Sequence, residues 1–140
     1  MRKLPTLAAI GTVIGLLAGG SFALSSAALA AAPPQLQKEI AAAATHAGYA
    51  AGSDELAKVH MHLHHTVNCL VGPAGAEFSA KDINPCAAIG NGAIPDSTDE
   101  PTTSALQDAL ATAKSGLAAS DLDKAKDDAS DVKATLDTLK

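Results

Sequence analysis

VHMHLHHTVNC, Val59 to Cys69, holds four of the chain's five histidines within six residues; the fifth is His46. How this run folds decides the class of the protein. As a strand it would aim alternate residues His60, His62 and His64 at one face. As a helix, at about 100° per residue, it collects Leu56, Val59, Leu63, Val67 and Leu70 into one apolar stripe. The flanks favour the helix: Ser53 is placed as an N-cap, Asp54 and Glu55 suit the positive end of the helix dipole, and Gly72 supplies a stop.

Working outward, Pro33 and Pro34 open a preceding helix through QLQKEIAAAATHAGYAA as far as Gly52, with Leu36, Ile40, Ala43, Ala47 and Ala50 on its apolar face. Beyond Pro101, Leu106, Leu110, Ala113 and Leu117 recur at helical spacing. Ser120 is placed to cap a last helix striped by Leu122, Ala125, Ala129, Val132, Leu136 and Leu139. Four amphipathic helices with short connections within each pair predict an all-α protein, an antiparallel four-helix bundle. Between its second and third helices runs a long Gly/Pro-rich loop, residues 72–101.

A loop of that length in a small domain needs an anchor. Cys69, at the end of the second helix, and Cys86, inside the loop, are the only two cysteines. A Cys69–Cys86 disulfide would close it, with a chain-entropy gain of about 3 kcal/mol. The rival reading makes both sulfurs metal ligands beside His65, one helical turn before Cys69. Compartment decides for the disulfide. Arg2 and Lys3, the apolar run LAAIGTVIGLLAGG and the small residues ending at Ala30 have the layout of a secretory signal peptide. Residues 1–30 are therefore read as a signal peptide and residues 31–140 as a single domain, periplasmic or secreted and free of the membrane after cleavage.

The formal net charge is −5, and the one arginine, Arg2, lies in the signal segment. Such a chain lacks the Lys/Arg clusters that hold nucleic acid or anionic lipid, and it attracts cations instead. Imidazoles suit Cu(II), Zn(II) and Ni(II) rather than Ca or Mg. On the helical wheel His60 and His64, one turn apart at the stripe's margin, form an inner pair. His62 falls on the other flank and His65 points away from the core. His46, beside the apolar face of the first helix, is the natural third ligand; Asp54, Glu55 and Asn68 are candidate outer partners, but Asp54 and Glu55 already have a helix-start role and Asn68 reads more simply as a surface or loop-pinning residue. Imidazole binding should weaken below about pH 6, where the ring protonates.

The site predicted from sequence is thus a transition-metal centre drawn from His46, His60, His62, His64 and His65, serving binding, buffering or delivery. One alternative is non-covalent haem b between histidines, since no CxxCH is present for covalent attachment. Another is an interaction module without a cofactor, whose clamped loop meets an exported protein partner. The thin, alanine-rich core also makes a homodimer plausible. No catalytic residues are assigned. HMHLHH resembles the HxHxDH motif of metallo-hydrolases, but no Asp separates His62 from His65, and no HExxH-type general base occurs.

The block HMHLHHTVNCLVGPAGAEF, followed by NPC and GNGAIPD, resembles a family of small exported bacterial proteins that combine these histidines, two cysteines and a Gly/Pro loop. The resemblance spans Thr45 to Asp96 and implies export and one histidine–loop unit, but no activity. There is a looser resemblance to periplasmic helical bundles that sequester copper or other metals. Those repeat His or Cys along several helices, whereas the third and fourth helices here carry neither, so storage of many ions is not expected.

Overall fold

The computed structural model describes residues 33–140; the signal-peptide assignment, residues 1–30, lies outside the described residues. Five helices and no strand occur among them: α1 Pro34–Ala51, α2 Leu56–Val71, α3 Ala93–Asp96, α4 Glu100–Ala118 and α5 Leu122–Asp137. The strand reading of the histidine run falls, and α2 is continuous through all four of its histidines. No helix among the described residues is long and apolar enough to cross a membrane.

The predicted stripes supply the core. Leu36, Ile40, Val59, Leu63, Val67, Leu70, Leu106, Val132 and Leu136 are all but fully buried, with Ala43, Ala47, Ala113, Ala125 and Ala129 between them. Small residues at these positions let helix backbones approach closely, so the core is dense without aromatic rings. α1 packs on α2 and α5, and α4 on α5 and α2. Single contacts tie these pairs: Gln37 Nε2 at the start of α1 donates to Leu139 O just past α5 (3.2 Å), and Thr66 Oγ1 on α2 donates to Ala43 O on α1 (3.3 Å).

Two caps differ from those expected. Ser53 does not cap α2: its hydroxyl donates to Tyr49 O (2.7 Å) and closes the end of α1, while α2 begins after Glu55, which pairs with Lys58. Ser120 yields to Asp121, whose carboxylate accepts from Lys124 N (2.9 Å), an N-cap bond of the kind short polar side chains make. Asp99 caps α4 in the same way, accepting from Thr102 N (3.0 Å).

The loop after α2 is tied down along its length. Gly72 takes a positive φ of 66°, and a Cβ there would lie 1.5 Å from Asn91 O, so only glycine fits where the loop's return crosses its own start. The Cys69–Cys86 disulfide is formed. Beside Cys69, buried Asn68 serves as a second clasp: its Nδ2 donates to Ser79 O (3.0 Å) and Ile83 O (3.3 Å), and its Oδ1 accepts from Ser79 N (2.8 Å). Asn68 is therefore a loop-pinning residue, and its expected role as an outer metal partner is set aside. The short helix α3, which the sequence pattern did not predict, ends the loop against α1, α2 and α4.

Replacing both cysteines, Cys69→Ser with Cys86→Ser, should lower the unfolding free energy by about 3 kcal/mol, given a sequence separation of 17 residues. Urea titration followed by helical circular dichroism measures the loss; a midpoint unchanged by the double substitution would mean that Asn68 alone holds the loop.

Candidate metal centre

The histidines on α2 are shared out among three neighbours, because α2 packs against α1, α4 and the loop. His60 faces α4: its Nε2 lies 3.1 Å from Ala119 O, and since a carbonyl only accepts, Nε2 carries the proton and donates. His64 faces the loop. Its Nδ1 is 3.9 Å from Asp82 Oδ2, too far for a hydrogen bond, beside a cavity of about 530 Å³ lined by Glu77, Phe78, Ser79 and Lys81. Asp82 is itself held by Ser79 Oγ (2.6 Å).

His62 and His65, three residues apart, face α1 and meet His46 there. The three imidazoles each offer a ring nitrogen, and these atoms all lie within 4.8 Å of one another. His46 Nδ1 and His65 Nδ1 are 3.3 Å apart, and the ring centroids are separated by 5.0 Å for His46–His65, 5.7 Å for His46–His62 and 5.6 Å for His62–His65. His62 Nδ1 is buried without a hydrogen-bond partner. The Tyr49 ring, one turn after His46, stands 5.5 Å from the His46 ring and 5.4 Å from that of His62.

The grouping expected from the helical wheel is therefore corrected. His60 and His64 do not meet His46; one turns to a backbone carbonyl, the other to Asp82. His65, expected to point outward, is only 6 % exposed. His46, expected to face His60 or His64 across the seam, meets His62 and His65 instead. Asp54 and Glu55 are exposed, and neither cysteine is available as a ligand, since both are consumed in the disulfide. The haem alternative placed a flat macrocycle between histidines of facing helices. Across this seam Thr66 already donates to Ala43 O, and a porphyrin would have to part those contacts.

Electrostatics keep the trio neutral. Burial first, then the neighbouring His65 and His62, lower the pKa of His46; burial lowers that of His62; burial and His62 lower that of His65 against the opposing pull of Asp82. Neutral imidazole is the ligating form, so depressed pKa values leave nitrogen lone pairs open to an ion. A tetrahedral Zn–N bond of about 2.0–2.1 Å sets an N···N edge of about 3.3–3.4 Å. The His46–His65 spacing already matches that edge, and the third nitrogen has roughly 1.5 Å to close at most.

The sign of the pH dependence follows. A base with a depressed folded pKa contributes stability in full above its unfolded value near 6.5 and loses it as pH falls through the folded value. In a histidine NMR titration of the metal-free protein, His46, His62 and His65 should each titrate below 6.5, and His65→Gln should bring His46 back towards that value by removing a repelling neighbour. A His46 titration unmoved by His65→Gln would show that the rings are not in contact. No family model, curated protein or solved structure matches the chain.

Proposed function

We propose that the chain is an exported antiparallel four-helix bundle that binds one transition-metal ion at the α1–α2 seam through His46, His62 and His65, and that its role is capture, buffering or delivery of that ion. The observation that carries the reading is the convergence of three neutral ring nitrogens, drawn from two helices, within 4.8 Å. The end-to-start contacts Gln37 to Leu139 and His60 to Ala119 support the antiparallel arrangement. The disulfide supports an oxidising compartment.

The donor set narrows the ion. Three imidazoles with no thiolate and no carboxylate in the group favour Cu(II), Zn(II) or Ni(II) over Cu(I), Ca or Mg. Three protein donors leave a fourth position open, as in zinc sites that keep an exchangeable water. His46 and His62 are only half-buried, so that position is reachable from solvent. An ion held by three nitrogens and one exchangeable ligand can be passed to an acceptor that supplies the fourth. This geometry suits transfer better than permanent structural binding, for which zinc sites close all four positions.

Tyr49, the chain's one tyrosine in a sequence without tryptophan, provides a built-in reporter beside the site. Stoichiometric Cu(II) should quench its fluorescence, and Zn(II) should compete the quenching away. His46→Ala, His62→Ala and His65→Ala should each weaken binding by more than the roughly 10–100-fold typical for loss of an outer-shell partner, whereas His60→Ala and His64→Ala should stay within a few-fold. Binding lost on replacing His60 and His64 but kept on replacing His62 and His65 would refute the assignment, and untagged protein without stoichiometric affinity for any of the three ions would refute the function.

A further inference from the structure

At the opposite end of α1, away from the histidines, lies a buried acid that the metal reading does not use. Glu39 is 0 % exposed, on the core face of α1 among Leu36, Ile40 and Ala43. Its Oε1 accepts from Gly92 N (2.8 Å), the residue that begins the turn into α3. Its Oε2 is buried and has no hydrogen-bond donor. The side chain that approaches the Glu39 carboxyl is another carboxylate, Asp96 at the end of α3. Both meet over Gly90, where a Cβ would fall 2.3 Å from Asp96 Oδ2 and 2.6 Å from Glu39 Oε1. Asp96 is itself an acceptor twice over, from Asn91 N (2.9 Å) and Asn91 Nδ2 (3.0 Å).

Two carboxylates brought together, one of them fully buried, cannot both stay ionised; a positive species must stand between them. A divalent cation such as Ca would need six or more oxygen ligands, and here Gly92 and Asn91 have already claimed oxygen lone pairs. A proton needs neither space nor further ligands. We propose that Glu39 and Asp96 share one proton, Glu39 as the acid and Asp96 as the carboxylate, and that this bond is a pH-sensitive latch fastening the 90–96 segment to α1. The roles follow from the surroundings: Asn91's two donors favour charge on Asp96, and burial disfavours it on Glu39. The pKa of Glu39 is raised, chiefly by burial, and that of Asp96 is lowered, chiefly by Asn91, as the assignment requires.

Asp96 is the charged side chain that faces Glu39 from α3. From the loop come the Gly92 amide and the non-titrating Cys86, whose sulfur lies 3.9 Å from Glu39 O, and Lys38 beside Glu39 on α1 is exposed. An acid with a raised folded pKa contributes stability in full below its unfolded value near 4.5 and loses it as pH rises through the folded value. The latch is therefore fastened in acid and loosens as pH rises through the raised Glu39 value.

The test uses the whole mature chain in metal-free buffer. Glu39→Gln is the mimic of the protonated acid, its amide donating to Asp96 and its carbonyl accepting from Gly92. The melting temperature of the wild type should fall relative to that of E39Q as pH rises from about 5 to about 9, by roughly 5 °C for each tenfold by which folding weakens the acid. The Glu39 carboxyl carbon should titrate above the ordinary range in ¹³C NMR, and Asp96→Asn should return it towards that range. A wild-type minus E39Q difference that is flat across pH would overturn the proposal, as would a Glu39 carboxyl that titrates near 4.5. Stabilisation of the wild type by Ca²⁺ at about pH 8, absent in E39Q, would overturn it in favour of a cation bridge.

Discussion

Enclosure of the second half of α2 on every side is the constraint from which the rest follows. From Leu63 to Val71 every residue except the half-buried His64 is buried, although only part of the helix's circumference is aliphatic. The remaining polar side chains must find partners within the fold, because a buried polar group without one is costly. Thr66 finds the Ala43 carbonyl, Asn68 the loop backbone and His65 the ring of His46. The trio is thus a consequence of packing a polar helix into a dense alanine-rich bundle, and its ring nitrogens are left facing one another without an acid or a carbonyl to satisfy them fully. Such a group could hold a metal ion.

Much of the architecture was legible from periodicity and chain punctuation. The four apolar stripes named the core residues, Gly52 and Gly72 marked two helix ends, and the paired cysteines around a long loop in an exported-type sequence indicated their disulfide. Asn68 as a loop-pinning residue was also open to reading, being an amide at the end of a helix whose next residue is bridged into that loop. The histidines themselves were marked as the site, His46 included, because five imidazoles concentrated on two adjacent helices have no counterpart elsewhere in the chain.

The arrangement within the cluster was not legible, for a physical reason. A helical wheel assumes one buried face, and His65 lies about 160° from the centre of the aliphatic stripe of α2, on what a two-sided helix would show to solvent. α2 is not two-sided: α1 covers the His62–His65 flank, α4 the His60 flank and the loop the His64 flank. Tertiary neighbours, not the stripe, decided which imidazoles meet. Glu39 was missed for a related reason, since a charged residue is ordinarily surface. Its wheel position, about 20° from buried Ala50, was the available signal that it lay inside.

The two ends of α1 answer to opposite changes in pH. Acid protonates the imidazoles that join its carboxyl end to α2, while a rise in pH removes the proton that fastens the loop near its amino end. The central claim, that His46, His62 and His65 act together as one donor set, is tested most directly by ¹⁵N NMR of all five imidazoles before and after one equivalent of Zn(II). The account predicts that one ring nitrogen in each of these three residues moves to the metal-bound range while those of His60 and His64 stay in place. Shifts confined to His60 and His64, or spread over all five rings at fractional occupancy, would contradict it.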